Sequence, residues 1–133
     1  MAYVHLVIAL ALLEFFLFGL AVARARARYH VPAPATSGNP EFERYFRVQM
    51  NTLEQLVIFV PSILLFAHYI GAYVAAALGV LFVVGRAVYF QGYTRAAEGR
   101  HVGFTLSVVP NLVLLAGGLL GAVRAIFILS RVA

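Results

Sequence analysis

The chain contains no cysteine and no lysine, and its five acidic residues are all glutamate. Without cysteine it can form no disulfide, hold no iron–sulfur cluster and use no thiol nucleophile of its own, although a thiol could still arrive with a substrate. Charge of either sign is scarce: 11% of the 133 residues are charged and 63% are hydrophobic. A soluble domain is about half apolar and about one quarter charged, so this chain cannot coat a globule of its size in water. That scarcity excludes a water-soluble enzyme fold and intrinsic disorder. The length suits a single domain over residues 1–133. A mean hydropathy of +0.93 and long apolar runs point to an integral membrane protein. The ten basic residues, all arginine, give a net charge of +5. In a membrane protein such residues set topology, so the basic balance is no argument for nucleic acid.

Crossing a hydrocarbon core of about 30 Å takes about 20 helical residues. Four stretches are long enough: residues 3–23, 53–72, 73–90 and 104–129. Backbone in lipid must satisfy its own hydrogen bonds, so each is expected to be a helix. The expected fold is therefore all-α, an antiparallel four-helix transmembrane bundle. The first stretch lacks the leading positive charge of a secretory signal, and more apolar stretches follow, so it reads as a retained span. Arg24, Arg26, Arg28, Arg44 and Arg47 lie between the first two stretches or at their edges, and Arg95 and Arg100 between the last two. The positive-inside rule puts both basic loops in the cytoplasm, against a single opposing residue, Arg131. Residues 30–40 form a proline-rich first loop, and residues 41–47 an amphipathic turn leading into the second helix.

Ionisable residues inside membrane segments are costly and usually face a bundle interior or a cavity. Arg44, Arg47, Asn51 and Glu54 step by three, four and three residues, giving one polar helix face with Gln55 beside it. Arg86, Tyr89 and Tyr93 step by three and four near the end of the third helix. If that helix continues past Gly92, Arg100 falls on nearly the same face. Both faces lie at the cytoplasmic end. Arginine forks match carboxylates or phosphates, and a lone Glu54 among them suits an ammonium. A small zwitterion with more than one carboxylate, such as glutathione, fits this inventory. The alternative is a set of intramembrane ion pairs that fixes helix register.

These residues carry a family resemblance. The run over residues 41–55, EFERYFRVQMNTLEQ, and the R-x-x-Y-F-Q-G-Y run from Arg86 with Arg100 beyond it resemble the MAPEG proteins, membrane-associated proteins in eicosanoid and glutathione metabolism. Pro34 and the stretch Gly38, Asn39, Pro40 are similar to that family's first loop. The resemblance implies a homotrimer with active sites between subunits near the cytoplasmic face. It implies glutathione as co-substrate, a hydrophobic electrophile as its partner in reaction, and contact with membrane lipids. Carried over, Arg47, Asn51 and Glu54 hold the γ-glutamyl end, with Gln49, Arg86, Tyr89 and Tyr93 completing the pocket. Arg26 comes from the adjacent subunit, and Arg100 stands at the thiol sulfur, with Tyr93 as a second donor. The implied activity is that of a microsomal-type glutathione S-transferase, with possible reduction of lipid hydroperoxides; the alternative is a non-catalytic lipid-binding or scaffold protein on the same fold. Gln55 and Ala27 stand where the leukotriene-forming branch has tyrosine and a second arginine, which favours general detoxification.

The role of Arg100 also has an independent physical rationale. A free thiol has a pKa of about 8.5, and a nearby guanidinium lowers such values by roughly 1–3 units. A channel or transporter would distribute polar residues across the whole membrane, whereas here they concentrate at one end. His5, His30, His68 and His101 are too scattered to suggest a metal site. Glu14, in the middle of the first span, is expected to be protonated or hydrogen-bonded inside the bundle, with Asn111 a candidate partner. Pro61 and Pro110 are expected to kink their helices. Gly117, Gly118 and Gly121 are expected to allow close helix approach. Short loops and lysine-free composition suggest a bacterial inner membrane.

Overall fold

A computed structural model describes residues 1–132 and contains four long helices: α1 (Ala2–Arg28), α2 (Pro40–Tyr69), α3 (Ala72–Arg95) and α4 (Arg100–Val132). All four are long and apolar enough to cross a membrane. They extend beyond the hydropathy-defined spans because polar residues continue the helix after hydrocarbon depth is passed. The amphipathic turn over residues 41–47 is thus the first part of α2.

Local chemistry sets the helix ends at the arginine-rich side. After α1, His30 takes a left-handed φ of 55° and the Val31 N–H returns to the Arg26 carbonyl at 3.1 Å. Val31 is buried against Val22 and Ala25, the apolar contact that accompanies such a helix end. Asn39 starts α2, its Oδ1 accepting from the Glu41 and Phe42 amides at 2.9 Å each, with Pro40 in the first turn. The Gly38 amide donates to the Glu43 carboxylate at 3.2 Å. Arg44 donates to the Arg95 carbonyl at 3.2 Å, satisfying one of the orphan carbonyls at the end of α3.

α2 and α3 form a central pair, with α1 and α4 each packed against both. The main core centres on Phe59 and Phe82, stacked with centroids 4.0 Å apart, among Ile63, Phe66, Leu114, Val4 and Val7. Outward-facing leucines such as Leu6, Leu13, Leu17, Leu112 and Leu119 leave an apolar exterior suited to lipid. Pro61 and Pro110 lie inside unbroken helices.

Small residues draw α4 inward. Gly117, Gly118 and Gly121 lie against Phe66, Leu65 and Tyr69 of α2, as the sequence suggested. A Cβ on Gly85 would stand 2.6 Å from the Ser107 amide nitrogen, and one on Gly103 would collide with the Tyr89 backbone. This close α3–α4 seam fixes the depth of the next residues along α4 towards its start.

Midway along the bundle, α3 buries Arg86 completely. Its Nη2 and Nε donate to Thr52 Oγ1 of α2 at 2.8 and 3.2 Å, and Nη1 donates to Ser107 Oγ of α4 at 3.3 Å. Those hydroxyls in turn donate to the Val48 and Gly103 carbonyls. One guanidinium therefore joins three helices through neutral partners. Asn111, the candidate partner of Glu14, is engaged elsewhere. The Asn111 amide donates instead to the Gln55 carbonyl and Oε1, at 3.2 and 2.9 Å, and Glu14 Oε1 has no partner among the described residues. The register of α4 on α2 gives Asn111 to Gln55, a residue that faces inward from beside the polar stripe.

Candidate functional site

At the arginine-rich end, α2, α3, the start of α4 and the first loop enclose a cavity of about 580 Å³. Arg47, Asn51 and Glu54 reach it from α2, Tyr89 and Tyr93 from α3, and Arg100 from α4. The three- and four-residue steps on α2 explain the first group: they repeat once per turn on the side facing the open end. Thr36, Ser37, Glu43, Phe46 and Met50 complete the wall and were not singled out from sequence. Glu43 belongs to the E-x-E-R run, so its spacing carried a signal; the loop residues Thr36 and Ser37 had none.

Arg100 reaches the cavity by a different route from the one its spacing suggested. α3 does not continue past Arg95: Ala96 is extended, residues Ala97–Gly99 make a single 3₁₀ turn, and Arg100 opens α4. Gly92 and Gly99 meet backbone to backbone, so the turn is tight enough to return Arg100 over the end of α3. Its guanidinium carbon stands 5.8 Å from the Tyr93 ring centroid. Tyr93 stacks on Tyr89 with centroids 5.6 Å apart and an interplanar angle of 21°. Arg86 lies 4.1 Å from the other end of this pair, over Tyr89. Two guanidiniums thus bracket two stacked phenols, one from the core and one from the cavity.

Arg86 itself does not line the cavity, and the correction has a plain cause. It shares a helix face with Tyr89 and Tyr93 but sits one turn deeper, where Thr52 and Ser107 take its donors. Gln49 is also outside the lining: its side-chain nitrogen packs by Gly19 of α1. Arg26 lies over the Phe42 ring at 4.8 Å and donates to the Ala35 carbonyl, bracing the first loop of its own chain. Arg44, on the α2 polar face, is occupied at the end of α3.

The cavity combines two exposed cations, Arg47 and Arg100, with two carboxylates, the exposed Glu54 and the half-buried Glu43, which accepts from the Gly38 amide. Among the described residues Asn51 Oδ1 is buried and accepts no hydrogen bond, which leaves it open to a donor brought from outside. A ligand with both carboxylates and an amine or amide N–H would complement this set. Beside the cavity, Asn51, Tyr89, Arg100, His101 and Phe104 line a recess of about 390 Å³. An apolar groove of about 620 Å³ then runs along α4 past His101, Val102, Thr105, Leu106, Val109 and Pro110. Among the described residues no cluster of His, Asp or Glu has the grouping needed to hold a metal ion.

The sequence model of the MAPEG family matches residues 4–120. The chain belongs to the MAPEG family. Its relatives include a protein of uncharacterised function from Synechocystis sp., 45% identical over 115 residues, which are 86% of this chain and 84% of the relative. Microsomal glutathione S-transferase 2 of Homo sapiens is 41% identical over 103 residues, covering 77% of this chain and 70% of the human protein. Leukotriene C4 synthase of Mus musculus is 36% identical over 104 residues, or 78% of this chain and 69% of the mouse protein. For a MAPEG chain the four apolar helices are membrane spans, and the protein is an integral membrane protein.

Proposed function

We propose that this MAPEG protein is a membrane-bound glutathione S-transferase that binds glutathione in the 580 Å³ cavity and activates its thiol through Arg100. The convergence of Arg47, Asn51, Glu54, Tyr89, Tyr93 and Arg100 from three helices on one cavity carries this reading. Arg47 receives a carboxylate of glutathione, Glu54 its ammonium and Asn51 an N–H. The thiol sulfur lies at Arg100, above the Tyr93 ring. The relative named as a glutathione S-transferase supports the same assignment.

Binding converts the thiol to a thiolate, because a fixed cation favours the anion and the proton leaves to water. Each unit of pKa depression is about 1.4 kcal/mol of differential stabilisation. Arg100 stays protonated throughout, so it stabilises charge without moving a proton. A lipophilic electrophile enters sideways from the bilayer along the α4 groove, and the thiolate attacks it at the groove's Arg100 end. Lipid hydroperoxides are candidate substrates by the same route. In a homotrimer, Arg26 of the partner subunit would add a second carboxylate contact.

The basic end lies in the cytoplasm of a bacterial inner membrane. The native chain has no cysteine, so single substitutions report sidedness directly: Ser37→Cys should react with an impermeant maleimide only after the cytoplasmic side is opened, and Tyr73→Cys before. The opposite pattern reverses the orientation. The thiolate itself is read from the ultraviolet difference spectrum as glutathione is titrated into detergent-solubilised protein at pH 7. A saturable thiolate band in the wild type and its loss in Arg100→Ala are expected. The apolar groove also suits a lipid-binding scaffold, and absence of both the band and glutathione binding by calorimetry would favour that reading.

A further inference from the structure

Thiolate attack on a carbon bearing a halide expels an anion that needs no proton. Attack on an epoxide, or on the O–O bond of a hydroperoxide, expels an alkoxide, and in an apolar groove an unpaired oxyanion is costly. An oxygen leaving group therefore calls for an acid on the groove side of the sulfur. Arg100 cannot serve, since guanidinium does not give up its proton. Tyr89 and Tyr93 are stacked on each other and almost wholly buried, and neither lines the apolar groove.

Among the described residues, His101 is the one that lines both the recess at Arg100 and the apolar groove along α4. It follows Arg100 in the first turn of α4, so it stands about 100° further around the axis and only about 1.5 Å along it. The side chain that holds the sulfur and the imidazole are thus at nearly one depth, one towards the glutathione cavity and the other towards the path of the electrophile. The polar groups lining the recess with it are the Arg100 guanidinium on its own helix, the Tyr89 phenol from α3 and the neutral Asn51 amide from α2.

We propose that His101 is the general acid for electrophiles whose leaving atom is oxygen. The inference rests on the glutathione transferase reading and goes beyond it. With an epoxide, the S–C bond forms as the C–O bond breaks, and the imidazolium proton passes to the departing oxygen to give a hydroxy thioether. With a hydroperoxide, the thiolate takes the terminal oxygen as glutathione sulfenic acid while the O–O bond breaks. The remaining alkoxide takes the imidazolium proton and leaves as the alcohol, and a second glutathione converts the sulfenic acid to the disulfide and water. In both cases water returns to His101 the proton it received when the thiol ionised.

The test compares three co-substrates of glutathione on the purified full-length protein: 1-chloro-2,4-dinitrobenzene, styrene oxide and cumene hydroperoxide. His101→Phe keeps a ring in the groove and removes the acid; His101→Gln keeps an N–H but has no proton to transfer. In both variants kcat for the epoxide and the hydroperoxide should fall about a hundredfold relative to kcat for the chloride. KM should change less than kcat, and added imidazole should restore part of the lost rate. An equal fall for all three co-substrates, or no fall for any, overturns the role of His101 and leaves the transferase reading standing. A wild type that turns over none of the three and shows no thiolate band removes both.

Discussion

Arg86 and Arg100 sit at opposite ends of the same stacked tyrosine pair, yet their surroundings differ in every respect that matters for chemistry. Arg86 is wholly buried and gives its donors to Thr52 and Ser107 of neighbouring helices. Arg100 is exposed on a cavity wall at the start of α4. A guanidinium fully engaged by the protein fixes helices; one with free donors can recognise an anion. The mid-bundle layer and the open end therefore place the same residue type in opposite settings, and the glycine seam between α3 and α4 holds the two regions in register.

The largest effect should come from breaking that seam. Gly103→Leu would drive a side chain into the Tyr89 backbone, where rigid main chain cannot yield. The loss should exceed the roughly 1–3 kcal/mol typical of overpacking, and folded protein should be scarce in size-exclusion profiles after solubilisation. Next, Arg86→Ala leaves a void and strips the acceptor bonds from two buried hydroxyls. A stability loss of about 3 kcal/mol is expected in thermal unfolding, with Arg86→Met losing less because an apolar chain fills the volume. A Met variant as unstable as the Ala variant would mean that the guanidinium's hydrogen bonds to Thr52 and Ser107, and not its volume, hold the layer.

Arg100→Ala sharpens the contrast from the other side. Its contact with Tyr93 is that of an exposed cation over a ring, so stability should change by no more than about 1 kcal/mol. Loss of roughly 1–3 units of thiol pKa depression should nevertheless lower the thiolate fraction at pH 7 and turnover with it. Titrating bound glutathione by its thiolate absorbance in the two proteins measures that shift directly. A variant that unfolds readily yet keeps the thiolate band would exchange the roles of the two arginines.

Much of this division was legible in the sequence. Hydropathy alone placed four spans, because a bilayer imposes length and composition on anything that crosses it. Periodicity put Arg47, Asn51 and Glu54 on one face, and all three line the cavity. Periodicity could not tell depth from direction: Arg86 keeps step with Tyr89 and Tyr93 but belongs to the core, because Thr52 and Ser107, two hydroxyls in apolar surroundings, wait one turn deeper. The end of α3 was hidden for a related reason. Residues 93–100 carry no proline to stop a helix, and the turn depends on Gly92 meeting Gly99 across the fold. Nothing in the sequence marks His101, because its place between recess and groove exists only in three dimensions.

The smallest effect lies at the rim, where structure and binding overlap. Asn39→Ala removes the side-chain oxygen that accepts from the Glu41 and Phe42 amides, at a cost of about 1 kcal/mol. Pro40 still presets the first helical φ, so α2 should begin at the same place with a frayed first turn. That turn carries Glu43, and the next carries Phe46 and Arg47, all of them cavity wall. Arg100 and Tyr93 belong to other helices and keep their positions. A small loss of thermal stability should accompany a few-fold rise in KM for glutathione at nearly constant kcat. This pattern differs from both arginine variants: Arg86→Ala acts chiefly on stability and Arg100→Ala chiefly on turnover. A fall in kcat larger than the rise in KM would mean that the start of α2 acts on turnover as well as on glutathione binding, drawing the rim into the chemistry.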